Sequence, residues 1–198
     1  MYCGAQVSLY PMCGRFVEII LDAADRIKGR EGLRIETDDI STLIVGPSPK
    51  VFGAVKDLYL HACRSGEHAA LNALFSRGCP GEPDDPICSP GDAAAGKPRL
   101  VEMGSLPESG IILTGQFSVY PLGIASYMST IVRQIEAAKN EGVFDGAKHF
   151  ASRLRGDGEK VFAALYNAFE RAAEDGAHIV IHATLSSNSP SAKGVRNE

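Results

Sequence analysis

Three residue types in one short stretch carry the first chemical suggestion in this chain. Gln6-Val-Ser8-Leu-Tyr10-Pro11 returns as Gln116-Phe-Ser118-Val-Tyr120-Pro121, each residue 110 positions after its counterpart. Spaced two apart on an extended strand, an amide, a hydroxyl and a phenol share one face. Such a face can hold a flat polar ring by hydrogen bonds and stacking. A hydroxyl in mid-strand is unfavourable without a partner, so Ser8 and Ser118 are candidate ligand contacts. Tyr10 and Tyr120 have a second reading, in which each ring covers a sheet edge where Pro11 and Pro121 turn the chain. His68 and His178 follow Gly66 and Gly176 and also read as turn histidines with local partners. Asp38-Asp39 reads as turn chemistry, since the copy has Lys148-His149 there.

Catalytic arrangements are weaker. Ser8 and Ser118 lie within strands, whereas a triad nucleophile needs a sharp turn with a histidine in reach. No G-x-S-x-G, P-loop or G-x-G-x-x-G motif occurs. His178 and His182 have zinc-ligand spacing for a helix, but on a strand they stand about 13 Å apart, too far for one ion. No catalytic residue and no metal site is therefore assigned.

The repeat that carries the motif continues along both halves. Glu31-Gly32 returns as Glu141-Gly142, Lys50-Val-Phe52 as Lys160-Val-Phe162, and Gly66-x-His68 as Gly176-x-His178. A period this long implies two whole units rather than a solenoid. We place the first repeat at 1–80, a Pro, Gly and Asp-rich linker at 81–109, the second repeat at 110–190, and a polar tail at 191–198. A short ordered stretch is expected around Leu100 to Met103. Within each repeat the apolar period alternates between two and 3.6 in the order β-α-β-β-α-β. The first gives strands at 5–10, 33–37, 40–45 and 68–75, with helices from residue 16 and across 51–62. The second gives strands at 114–120, 143–147, 150–155 and 178–185, with helices at 125–139 and 158–174. The fold class is α+β, a tandem duplication of ferredoxin-like, ACT-like units with antiparallel sheets.

Both crossover helices of such a unit lie on one side of its sheet, leaving the other face open. Alternation turns Val7, Leu9, Phe117 and Val119 toward the helices, and Gln6, Ser8, Tyr10, Gln116, Ser118 and Tyr120 away. In the last strands Asn72, Ser76, His182 and Ser186 join the open face. In the third strand Ile40, Thr42 and Ile44, with Phe150, Ser152 and Leu154, fit the helix side, and Ser41 and Ala151 fall outside. A wall of hydroxyl, amide, imidazole and aromatic groups among aliphatic ones suits a small flat heterocycle.

Bulk properties narrow the partners. The chain has 198 residues and a net charge of −4, with no basic cluster, so nucleic acid and anionic membrane are poor partners. There is no bilayer-length apolar run and no leader pattern, which makes the cytoplasm the expected location. Five cysteines at irregular spacing without a C-x-x-C pair read as reduced thiols. Two repeats of this size are each marginal alone and are expected to pack on each other or on a second chain.

With those residues in hand, the chain resembles the YkoF-like family of thiamin and hydroxymethylpyrimidine binding proteins. The resemblance spans nearly the whole length and is most specific in Ser8-Leu-Tyr-Pro-Met12, Thr37-Asp-Asp-Ile-Ser-Thr42, Phe75-Ser-Arg-Gly-Cys-Pro-Gly81 and Leu185-Ser-Ser-Asn-Ser-Pro-Ser191. It implies a non-catalytic homodimer of tandem ferredoxin-like repeats with one thiamin site per repeat and no separate cofactor, linked to precursor salvage and functionally to a transporter. It also implies contacts on Ser8 and the Ser41-Thr42 strand, and on Ser118 and the Ala151-Ser152 strand. The full set of candidate ligand residues is Ser8, Tyr10, Ser41, Thr42, Asn72, Ser76, Ser118, Tyr120, Ser152, His182 and Ser186. Alanine at 151, where the first repeat has Ser41, sets the two sites apart. Two other classes remain open: an assembly module without a ligand, and an enzyme using His68 or His182 as general base.

Overall fold

A computed structural model describes residues 3–77, 99–175 and 178–193. In the first repeat the elements are β1 (Cys3–Pro11), α1 (Phe16–Asp25), β2 (Arg34–Thr37), β3 (Thr42–Gly46), α2 (Ser48–Cys63) and β4 (Ala69–Arg77). The second has β5 (Ile112–Leu122), α3 (Tyr127–Asn140), β6 (Phe144–Lys148), β7 (Ala151–Asp157), α4 (Gly158–Ala173) and β8 (His178–Ser187), followed by a short α5 (Pro190–Lys193). This is the β-α-β-β-α-β order in duplicate, as the alternating periods require. The Glu-Gly pairs recur because the chain leaving α1 and α3 turns at Gly32 and Gly142 with φ of 76° and 74°, a conformation costly for residues with a Cβ.

The two repeats share one sheet. Its eight strands run in the order β2-β3-β1-β4-β8-β5-β7-β6. The last strands of the repeats pair antiparallel from Ala69↔Ser187 to Arg77↔Ile179, with Ala73 opposite Ala183. Those two alanines are counterparts in the duplication, so a pseudo-twofold axis pierces the sheet between them. The helices pack together on one side, α1 against α2, α2 against α4 and α3 against α4.

Their core is continuous across the axis. The Phe52 ring stacks on Phe75 at 4.0 Å and meets Tyr166 edge-on at 5.5 Å and Phe169 at 5.3 Å. Packing a ring of one repeat among rings of the other buries apolar area that neither repeat could bury alone. A charged brace crosses the same boundary. Arg77 at the end of β4 donates Nη1 and Nη2 to the two carboxylate oxygens of Glu170 on α4, at 2.9 and 2.5 Å. The same guanidinium reaches Ser48 Oγ at 2.8 Å and lies 4.9 Å from the Phe169 ring centroid.

Two segments differ from the sequence-based expectation. Ile40 and Phe150 do not face the helices: they are 72% and 98% exposed, and β3 and β7 begin after them, at Thr42 and Ala151. In the first repeat the Asp38 carboxylate accepts the N–H groups of Ile40 (2.8 Å) and Ser41 (2.7 Å), holding this backbone out of the ladder. In the second, Phe150 has φ of 70°, which reverses the alternation. In β6 a register shift falls between Phe144 and Ala147, with Gly146 at φ 113°. This bulge packs Phe144 against the core while Asp145 pairs with Arg153 at 3.0 Å.

The chain re-enters the described part at Arg99 and docks at once. Asn167 of α4 accepts from Val101 N–H (2.8 Å) and donates to its carbonyl (2.9 Å), ahead of a single 3-10 turn at Met103–Ser105. The expected linker residues 81–98 and tail residues 194–198 lie outside the described part, as do Cys79 and Cys88. Cys3, Cys13 and Cys63 are free thiols, and burial pushes the Cys3 thiol up to about 12, which leaves it unreactive near neutrality.

Candidate functional site

With α1 to α4 on one side, the other face carries the residues that alternation sends away from the core. Rows of side chains cross it from strand to strand. One runs Ser8, Asn72, Thr184, Gln116, Arg153, and its mirror runs Ser118, His182, Leu74, Gln6, Leu43. Over the first repeat this face sinks into a recess of about 570 Å³, within the range of small-molecule sites. Its polar lining is Gln6, Ser8, Ser41, Asn72 and His182, and its apolar lining is Ile40, Leu74, Tyr120, Leu122 and Val180.

The hydrogen bonds already made inside the recess decide what it can recognise. Ser8 donates its hydroxyl proton to the carbonyl of Ile40 at 3.0 Å, so it offers a ligand only acceptor lone pairs. Gln6 donates Nε2 to Ser41 Oγ at 3.1 Å, which leaves the Ser41 proton and the Gln6 carbonyl oxygen available. Asn72 and His182 are joined at 3.0 Å through Nδ2 and Nε2. The recess therefore presents both donors and acceptors against an aliphatic and aromatic floor. No Asp, Glu, Lys or Arg lines it, and it suits a neutral or delocalised ring better than a localised charge.

The candidate residues separate clearly by position. Ser8, Ser41, Asn72, His182 and Tyr120 line the recess. Tyr120 comes from the second repeat and reaches it because Tyr120 pairs with Val180, which pairs with Ser76. Tyr10, from the same repeat as Ser8, is not part of this recess and lies two residues further along β1, beside Ala70. Ser118 mirrors Ser8, donating to the carbonyl of Phe150 at 2.7 Å. Thr42 and Ser152 pair with Val7 and Phe117 and so share the helix side of the sheet, away from the recess. Ser76 bonds to His178 at 3.0 Å and Ser186 to His68 at 3.1 Å, two symmetry-related clasps between the repeats. Both of those histidines thus have partners, but the partners lie across the repeat boundary and not, as the turn-histidine reading expects, in their own turns.

Sequence reasoning missed Ile40, Leu74, Leu122 and Val180 as lining groups. Alternation alone places Leu74 and Val180 on the open face, but aliphatic side chains there do not announce a site. The aspartate-capped turn hid Ile40. Gln6 was on the assigned face, and its role follows from its bond to Ser41. Among the described residues no group of three or more His, Cys, Asp or Glu could hold a metal ion, and no helix is long and apolar enough to cross a membrane.

Comparison with known proteins gives two matches. The sequence profile of the YKOF-related family matches residues 2–82 and 112–192, one segment for each repeat. The chain is 36% identical over 191 residues to a Bacillus subtilis (strain 168) protein named "Putative HMP/thiamine-binding protein YkoF". That alignment covers 96% of this chain and 92% of the relative.

Proposed function

Because the chain belongs to the YKOF-related family, we propose that it binds thiamin or its hydroxymethylpyrimidine part without transforming it, at one recess per repeat. The observation that carries this reading is the set of bonds around Ser8 and Ser41. An aminopyrimidine presents an exocyclic amine as donor and ring nitrogens as acceptors. Ser8, with its proton committed to Ile40, accepts from the amine, and the unengaged Ser41 proton answers a ring nitrogen. Tyr120 lies on the rim with its ring half exposed and supplies a face for a thiazolium cation, worth about 0.5 to 2 kcal/mol. With no carboxylate in the lining, affinity on the order of micromolar is expected, about −8 kcal/mol.

The pseudo-twofold axis maps the recess onto Gln116, Ser118, Phe150, Ala151, Tyr10 and Met12. There Ala151 supplies no hydroxyl, so the donor for a ring nitrogen is the Gln116 amide itself. The second recess also has Arg153 beside Gln116 where the first has Leu43 beside Gln6. The two recesses consequently differ in affinity.

Binding without turnover is supported by the engagement of the two histidines. His182 Nε2 is bonded to Asn72 and His68 Nε2 to Ser186, and neither bond is to a carboxylate that would orient a general base. A role in precursor salvage, with a homodimer in the cytoplasm that hands its ligand to a transporter or an enzyme, completes the proposal. Calorimetric titration with thiamin, hydroxymethylpyrimidine and a thiazole tests it. Binding of the first two, no turnover on incubation, and about a tenfold loss at the first recess for Ser8→Ala are expected, the loss of one hydrogen bond near 1.4 kcal/mol. Absence of heat with all three ligands overturns the reading.

A further inference from the structure

We propose that the second recess takes a phosphorylated ligand, the monophosphate ester of the pyrimidine's hydroxymethyl group, while the first takes the unesterified form. This inference rests on the two-recess reading above and names what its second site prefers. In the ladder Gln6 stands between Leu43 and Leu74, whereas its counterpart Gln116 stands between Arg153 and Thr184. Two aliphatic flanks have thus become two hydrogen-bond donors at the same pair of positions. The next row repeats the change, with Gly4 beside Val45 in the first repeat and Thr114 beside Arg155 in the second. Arg153 and Arg155 therefore share the open face of β7, about 7 Å apart along the strand, where β3 presents only aliphatic side chains.

The neighbouring edge strands differ in the same sense. In the first repeat Glu36 stands opposite Leu43 and Arg34 opposite Val45. Arg34 donates Nε to Glu36 at 2.6 Å, so that guanidinium is already answered, and Asp38 adds a second carboxylate at the rim. In the second repeat the position of Glu36 is Gly146 and that of Asp38 is Lys148, which pairs with Ala151. Asp145 lies 3.0 Å from Arg153 Nη2, which steadies the guanidinium and leaves its other N–H groups for a ligand. Arg155 and Lys148 have no ion-pair partner among the described residues. Carboxylates thus outnumber cations beside the first recess, and cations outnumber carboxylates beside the second. A phosphate monoester carries close to two negative charges at neutral pH, and a guanidinium fork matches its oxygens in pairs. With the pyrimidine over Ser118 and Gln116, β7 is the adjacent strand, about 4.8 Å away, within reach of a phosphate on the ring's own hydroxymethyl arm. In thiamin a phosphate sits beyond the thiazolium ring, whose positive charge the two arginines repel. Arg153 and Arg155 therefore set the specificity of the second recess.

Calorimetric titration with hydroxymethylpyrimidine, its monophosphate and thiamin monophosphate, at low and at raised salt, tests the assignment. In the wild-type protein the pyrimidine monophosphate should bind one site about tenfold or more tighter than the unesterified pyrimidine, by an advantage that shrinks as salt rises. Arg153→Leu, which restores the residue of the first repeat, should cut that advantage about tenfold. Arg153→Lys, which keeps the charge and loses the fork, should retain part of it. Ser118→Phe, which fills the second recess, should remove the tight site for the ester. An ester that binds no tighter than the unesterified pyrimidine, an advantage that survives Arg153→Leu, or a larger gain for thiamin monophosphate overturns the inference, while pyrimidine binding itself stands. Absence of binding to the wild-type protein by all three compounds overturns the function reading and this inference together.

Discussion

At the scale of single residues, the rim of the first recess depends on one aspartate. The Asp38 carboxylate accepts the N–H groups of Ser41 and Ile40, and its own main-chain N–H donates to the carbonyl of Ser41 at 3.0 Å. The bond from Ser41 N–H, then that from Ile40, lowers its pKa below the ordinary carboxylate value. These bonds place Ser41 Oγ beside Gln6 and the Ile40 carbonyl beside Ser8. Because the folded pKa is depressed, the contribution of Asp38 is fully present above the unfolded value of about 3.9 and is lost as pH falls through the folded one. Asp38→Ala should therefore weaken ligand binding at the first recess at neutral pH, with the second recess unaffected, since Lys148 occupies the equivalent position. The stability difference between wild type and Asp38→Ala, followed by urea unfolding, should narrow as pH is lowered from about 5 toward 3. A difference that widens over that range contradicts the sign of the shift.

At the scale of elements, alternation and the repeat itself made most of the fold legible. Val7, Phe117, Ile181 and Leu185 are buried because each occupies the helix-facing phase of its strand, and that phase could be read from residue types alone. Where a side chain captures main-chain N–H groups, as Asp38 does, or a bulge adds a residue, as at Gly146, the phase changes and periodicity fails. Ile40 was obscured by the Asp38 capture, and Phe150 by its own positive φ. The swap of Tyr120 into the recess beside Ser8 was illegible for another reason. It depends on β4 pairing with β8, a contact between repeats that no local pattern encodes. Asp157 shows an element boundary that only one repeat reinforces. It ends β7 and caps α4 by accepting Glu159 N–H at 2.9 Å, and it also accepts from Ser109 Oγ at 2.9 Å and Gly110 N–H at 3.0 Å. Its counterpart at α2 is Pro47, with no side-chain cap. Asp157→Ala should lose about 1 to 2 kcal/mol in denaturant unfolding, whereas Pro47→Ala, which removes no cap, should change stability by less than about 0.5 kcal/mol.

At the scale of the whole molecule, the recess exists only because the two repeats are fused into one sheet and one core. Gln6, Ser8 and Ser41 come from one repeat, Tyr120, Val180 and His182 from the other, and the Asn72–His182 bond straddles the join. What fixes the register of that join is therefore also what shapes the site. The Arg77–Glu170 brace is the strongest polar candidate, since the Glu170 side chain is fully buried and Arg77 retains only 12% exposure. Removing one partner of such a pair leaves an uncompensated buried charge, a loss of about 3 to 5 kcal/mol, while replacing both by apolar groups can be close to neutral. Glu170→Ala should thus lower stability by that amount in urea unfolding, and Arg77→Met with Glu170→Leu should recover most of it. Because Phe52, Phe75, Tyr166 and Phe169 form one cluster across the boundary, the destabilised protein should still unfold in a single transition. Two separated transitions, or a Glu170→Ala loss below about 1 kcal/mol, would show that the repeats are held by the strand pairing alone.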